Sequence, residues 1–135
     1  MTLLILIGAI AFLAVLAYDL FSDYSQWIRG ERISHRAELK ERIVLLTVPV
    51  LLLAVPLKGA FLWGLLLSGA MAGLLYWCLF DGLYNIMRGF PWLFTGSVDP
   101  DDAATDKLLR RYPWMQWARI GVAAALLITY AMLVS

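Results

Sequence analysis

Eight side chains at the edges of long apolar runs carry most of the chemistry this sequence could do: Asp19, Asp23, Gln26, Arg42, Asp81, Asn85, Arg88 and Arg119. Asp19, Asp23 and Gln26 are spaced i, i+4, i+7. Asp81, Asn85 and Arg88 repeat that spacing, so each set shares one face of a helix. Arg42 and Arg119 stand at the thresholds of the apolar runs that follow. If both faces point inwards, the eight residues form one polar cluster at a membrane surface. Ionisable groups in such a place pair with each other, or they mark a site for an ion, a phosphate-bearing head group or a partner subunit. The simpler reading is internal pairing, in which Asp19 and Asp81 meet basic residues of the helices after them, because an orphan charge near lipid costs ~2.5–3.5 kcal/mol. Asn85 is neutral and offers both donor and acceptor groups, and a purely structural role gives it one modest hydrogen bond.

Other candidates are weaker. His35 lies among charges, between Glu31 and Glu38, and could act as a general base. No nucleophile is paired with it at a recognisable spacing, so a solvated histidine is the expectation. Asp99, Asp101, Asp102 and Asp106 lack the alternating ligands and central glycine of an EF-hand. Asp99 reads instead as a helix cap, with Pro100 in the first helical position and carboxylates in the first turn. No Walker motif, GxSxG, HExxH or haem-binding Cys-Cys-His is present. The expectation is no cofactor, no metal and, as the leading reading, no enzyme.

The elements that hold these residues are long and apolar. Hydrophobic residues make up 62% of the 135, charged residues 16%, and the net charge is +1. Mean hydropathy is +0.77. A soluble domain has about 45–50% apolar and about 25% charged residues, so an ordinary soluble fold is excluded. There is no charge bias towards nucleic acid. The single cysteine, Cys78, excludes an internal disulfide, and the single histidine excludes multi-histidine metal centres.

Four runs carry no charge: Met1–Tyr18, Ile43–Leu57, Gly59–Phe80 and Ile120–Ser135. With polar extensions they predict spans over about 2–29, 35–57, 60–88 and 113–134, and a short interfacial helix over about 100–111. The expected fold is an all-α integral membrane protein of one domain, an up-down-up-down bundle of four transmembrane helices with the short helix between the third and fourth. Every basic residue except Lys58 lies in the zones Asp19–Arg42 and Asp81–Arg119, as do all the acidic ones. The positive-inside rule then places both zones in the cytoplasm and both termini outside, in a bacterial inner (plasma) membrane. The first span lacks a basic n-region and a cleavage pattern, so it is expected to stay.

Gly30 after Arg29, and Gly89 after Arg88, predict helix stops. Trp114 and Trp117, with Phe90, Trp92 and Phe94, predict an aromatic belt. Tyr18-Asp19…Asp23 and Phe80-Asp81…Asn85, each followed by Arg-Gly, suggest two related hairpins. Gly69-x3-Gly73 permits close helix approach, within the bundle or between copies.

Asp81-Gly82-Leu83-Tyr84-Asn85 opens like the Asp-Gly motif of CDP-alcohol phosphotransferases. Asn85-Ile86 stand where that family has Ala-Arg, its later Gly-x3-Asp-x3-Asp does not follow, and the match is rejected. The stretch from Phe80 to Ser97 resembles a segment of small uncharacterised membrane proteins of bacteria and their viruses. That resemblance covers this stretch alone and implies no activity.

Three functions fit these residues. The leading one is a structural or accessory component that self-assembles as a homo-oligomer or joins a larger membrane complex, in contact with membrane lipids. The second is an interfacial binder or enzyme of lipid head groups, working through the polar cluster. The third is a holin-like or channel pore former.

Overall fold

Transmembrane-length apolar sequence has one local solution within a single segment, the helix, because it satisfies every backbone donor and acceptor internally. A computed structural model describes residues 2–31, 35–57, 61–95 and 104–135, and of 35–37 and 104–106 only the backbone. It contains α1 (Thr2–Ile28), α2 (His35–Ala54), α3 (Phe61–Met87), α4 (Ala104–Arg111) and α5 (Trp114–Val134), with no strand among the described residues. α1, α3 and α5 are long and apolar enough to cross a membrane, which points to a helical integral membrane protein. α1 and α3, at 27 residues each, are about 40 Å long at 1.5 Å per residue. α2 falls short of that apolar standard because its charges, from Arg36 to Arg42, crowd its first eight residues.

The helix stops have clear causes. Gly30 (φ 67°) and Gly89 (φ 82°) adopt the left-handed conformation that lets a helix close its last carbonyls. At α1 the Gly30 N–H donates to Trp27 O and the Glu31 N–H to Gln26 O, both at 3.0 Å. At α3 the Gly89 N–H donates to Ile86 O at 2.9 Å and the Phe90 N–H to Asn85 O at 2.8 Å. The two ends are the same motif. α2 ends at Ala54, short of Leu57, because Pro56 has no N–H to continue the ladder. The chain turns there with Leu57 N–H on Ala54 O, and the Leu53 carbonyl is capped at 2.9 Å by the Tyr130 hydroxyl of α5.

Successive long helices run antiparallel. Arg42 of α2 lies beside Asp23 of α1, while Leu53 lies at Gly8, where a Cβ would sit 3.0 Å from Leu53 Cγ. α1, α2 and α3 pack on one another around Phe12, Leu16, Leu20, Ala72, Tyr76 and Phe80. α5 lies along α3 and reaches α2 through Tyr130. Among the described residues the α5 backbone does not come close to that of α1, so the helices form a three-helix cluster with a fourth laid on α3 rather than a closed ring. Ser34, Lys58, Asp99 and Pro100 lie outside the described residues, so the cap at Ser34, the turn at Lys58 and the capping of the short helix by Asp99 do too.

Candidate functional site

Seven of the eight candidate residues divide into four local groups, and Gln26 stays apart. On α1, spacing of i, i+4, i+7, i+8, i+11 carries one buried face from Phe12 through Leu16, Asp19 and Leu20 to Asp23. That face brings both carboxylates against α2. Arg42 Nη2 donates to Asp23 Oδ2 at 2.5 Å and to Glu38 Oε2 at 3.4 Å, and its Nε is 3.8 Å from Asp19 Oδ2. The Tyr76 hydroxyl of α3 donates to the same Asp19 oxygen at 2.5 Å. The Phe80 ring lies under the Arg42 guanidinium, 4.4 Å from its centroid. Asp19 and Asp23 are each only 5% exposed, so this network is a sealed junction of α1, α2 and α3.

The second group joins α3 to α5. Arg119 Nη1 donates to Asp81 Oδ2 at 2.5 Å, and the guanidinium stands 4.7 Å from the Trp77 ring centroid. The Arg119 side chain is buried, while that of Asp81 keeps 26% of its surface. Among the described residues no hydrogen bond or ion pair joins this group to the first.

Asn85 belongs to a third arrangement. Its Nδ2 donates to Trp92 O at 3.1 Å and to Phe94 O at 3.0 Å, two bonds where one was expected. Together they fold residues 90–95 back along α3. Gly82 makes room for that return, since a Cβ there would overlap the Trp92 indole. Phe90 and Phe94 stack at 4.3 Å. Asn85 is therefore turned towards its own loop, away from a shared cluster with Asp81.

Arg88 makes the fourth group, between the rings of Trp27, Tyr84 and Phe90. Gln26 stays local, its Nε2 donating to Ser22 Oγ at 3.4 Å. The His35 side chain lies outside the described residues. Beyond α1, Arg29 donates to both oxygens of Glu31 at 2.6 and 3.0 Å, and that bond holds the Glu31 carboxyl below the usual carboxylate range.

Tyr76, Glu38 and Trp77 complete these groups and were not singled out in the sequence. Tyr76 lies within an uninterrupted apolar run, where a hydroxyl gives no sign of which helix it will meet. Among the described residues no group of three potential ligands is arranged to hold a metal. What the arrangement does chemically is neutralise and position: the guanidinium groups of Arg42 and Arg119 each lie between a carboxylate and an aromatic ring. Compared with protein-family models, curated proteins and solved structures, the chain matches none.

Proposed function

We propose that this chain is a structural or accessory membrane component, with four spans running up-down-up-down, that associates with a second copy or with another membrane chain. α2 supports the fourth span: it lies antiparallel to α1 from the level of Asp23 to that of Gly8, alongside a helix long enough to cross. Arg42, the last of its charges, meets the Asp19–Asp23 face, which leaves Ile43–Leu57 as the apolar part. With the basic zones at one end of every helix, the positive-inside rule puts that end in the cytoplasm and the termini outside, as in a bacterial inner membrane.

The observation that carries the association is an open apolar groove between α2 and α3, lined by Ile43, Leu46, Val50, Leu65, Gly69 and Gly73. Gly69 and Gly73 stand one helical turn apart, as in close helix pairs. Inside this chain only one of them meets a neighbour: a Cβ at Gly69 would lie 3.9 Å from Val50 of α2, whereas Gly73 is exposed and nothing approaches within 4 Å of a Cβ there. The internal packing expected of this pair is absent at Gly73, which leaves room in the groove for a helix from outside. Native mass spectrometry and cross-linking in mild detergent test this. Wild type should be found assembled, and Gly73→Leu should return it to single chains. Gly121→Leu, an exposed glycine on α5 with nothing within 4 Å, should leave the assembly intact. A wild-type chain that is solitary by both methods would remove the proposal.

A further inference from the structure

Arg88 is the exception among the arginines of the helix interior. Arg42 and Arg119 each hold a carboxylate at 2.5 Å. Arg88 is half-buried, and no carboxylate or other acceptor among the described residues takes its N–H groups; its Nε is buried without a hydrogen bond, as it is in Arg42 and Arg119, but those two arginines hold carboxylates through their Nη groups. Instead its guanidinium carbon stands 5.2 Å from the Trp27 ring centroid, 5.2 Å from Tyr84 and 5.4 Å from Phe90. All three lie inside the ~6 Å reach of a cation–π contact.

The cause is visible in the two helix ends. Arg29-Gly30-Glu31 and Arg88-Gly89-Phe90 close α1 and α3 with the same pair of backbone hydrogen bonds. At α1 the residue two positions after the arginine is a glutamate, and it satisfies Arg29 at 2.6 and 3.0 Å. At α3 that residue is a phenylalanine. The rings around Arg88 fix its plane and attract its charge, but they neither neutralise it nor accept its N–H groups. A guanidinium held in one plane with unmatched donors is the fork that phosphate oxygens fit. Trp and Tyr at helix ends favour the head-group layer of a bilayer, where phosphates are.

We infer that Arg88, framed by Trp27, Tyr84 and Phe90, is a binding site for a phosphate group supplied by the head group of an anionic phospholipid. The inference rests on α1 and α3 crossing the bilayer, as under the proposed function. It needs neither the groove nor self-assembly.

The test uses the full chain. Flotation with phosphatidylcholine vesicles comes first and reads the membrane assignment alone; a chain that does not float overturns that assignment. Native mass spectrometry then counts phosphatidylglycerol retained against phosphatidylcholine. Wild type should retain one phosphatidylglycerol selectively. Arg88→Gln should weaken that retention by roughly tenfold, the loss of a charge-assisted contact. Phe90→Glu places a carboxylate where Glu31 stands beside Arg29, keeps the Arg88 charge, and should weaken it as much. Arg29→Gln should retain lipid like wild type. A floated Phe90→Glu chain that retains phosphatidylglycerol as wild type does overturns the site, whatever the folding of Arg88→Gln. Displacement of the lipid by inorganic phosphate alone overturns the lipid source and assigns the phosphate to solution.

Discussion

The ends of α1 and α3 have one backbone and two chemistries. Both stop at Arg-Gly with the same capping bonds, yet one arginine is closed by a carboxylate and the other by rings. The same contrast runs about two turns deeper. The α1–α2 junction surrounds Arg42 with Asp19, Asp23 and Glu38 and seals them. The α3–α5 junction pairs Arg119 with Asp81 alone among the described residues and leaves that carboxylate partly open. A repeated local motif thus fixes where helices end, while the neighbours of each charge decide whether it staples helices or stays available.

The largest expected effect comes from breaking the sealed junction. Arg42→Ala leaves Asp19 and Asp23 buried beside each other and should lower stability by about 3–5 kcal/mol. Arg119→Ala should cost less, about 1–3 kcal/mol, because Asp81 retains access to polar surroundings. Thermal unfolding in detergent checks the order. An Arg119→Ala chain as unstable as Arg42→Ala would mean that the two junctions are equivalent despite their different burial.

Next in size are changes to the returning loop after α3. Gly82→Ala puts a methyl group into the Trp92 indole and should cost about 1–3 kcal/mol of overpacking. It should also shift tryptophan emission as Trp92 moves. Asn85→Ala removes two bonds to that loop and should cost about 1 kcal/mol, taking ~0.6 kcal/mol for each bond in a membrane setting. If Gly82→Ala leaves emission and stability unchanged, the loop does not depend on that close approach.

The sequence made some of this visible and hid the rest for physical reasons. Helices α1 and α3 follow from uncharged runs of bilayer length, α5 from a shorter uncharged run with its polar extension, and Gly30 and Gly89 announced the stops of α1 and α3 because only a left-handed residue closes a helix that way. The end of α2 was legible only to within a turn, since Pro56 blocks the ladder but the capping Tyr130 lies on a distant helix. Spacing put Asp81, Asn85 and Arg88 on one helical face. It could not show that the face is divided: Asp81 meets α5, Asn85 its own loop, and Arg88 the α1 tryptophan. Periodicity specifies direction around one helix and contains nothing about which neighbour fills each direction. The absence of a carboxylate at position 90 was readable, but its meaning depended on the equivalence of the two helix ends.

The smallest expected effect sharpens that equivalence. Glu31→Phe gives α1 the Arg-Gly-Phe order of α3. Arg29 and Glu31 are exposed, and such a pair is screened and mobile. Because Arg29 lowers the Glu31 pKa in the folded chain, the pair's contribution is present above the unfolded carboxylate pKa and lost as pH falls through the folded one. Exposure keeps that contribution small, so Glu31→Phe should unfold with wild type at neutral pH and at mildly acidic pH. It should also retain no second phosphatidylglycerol, because Trp27, the ring of α1 that could frame Arg29, already faces Arg88. A second retained lipid in this variant would show that removing the carboxylate is enough to open a phosphate site. No change would show that the rings must hold the guanidinium first, which is the property that separates the end of α3 from the end of α1.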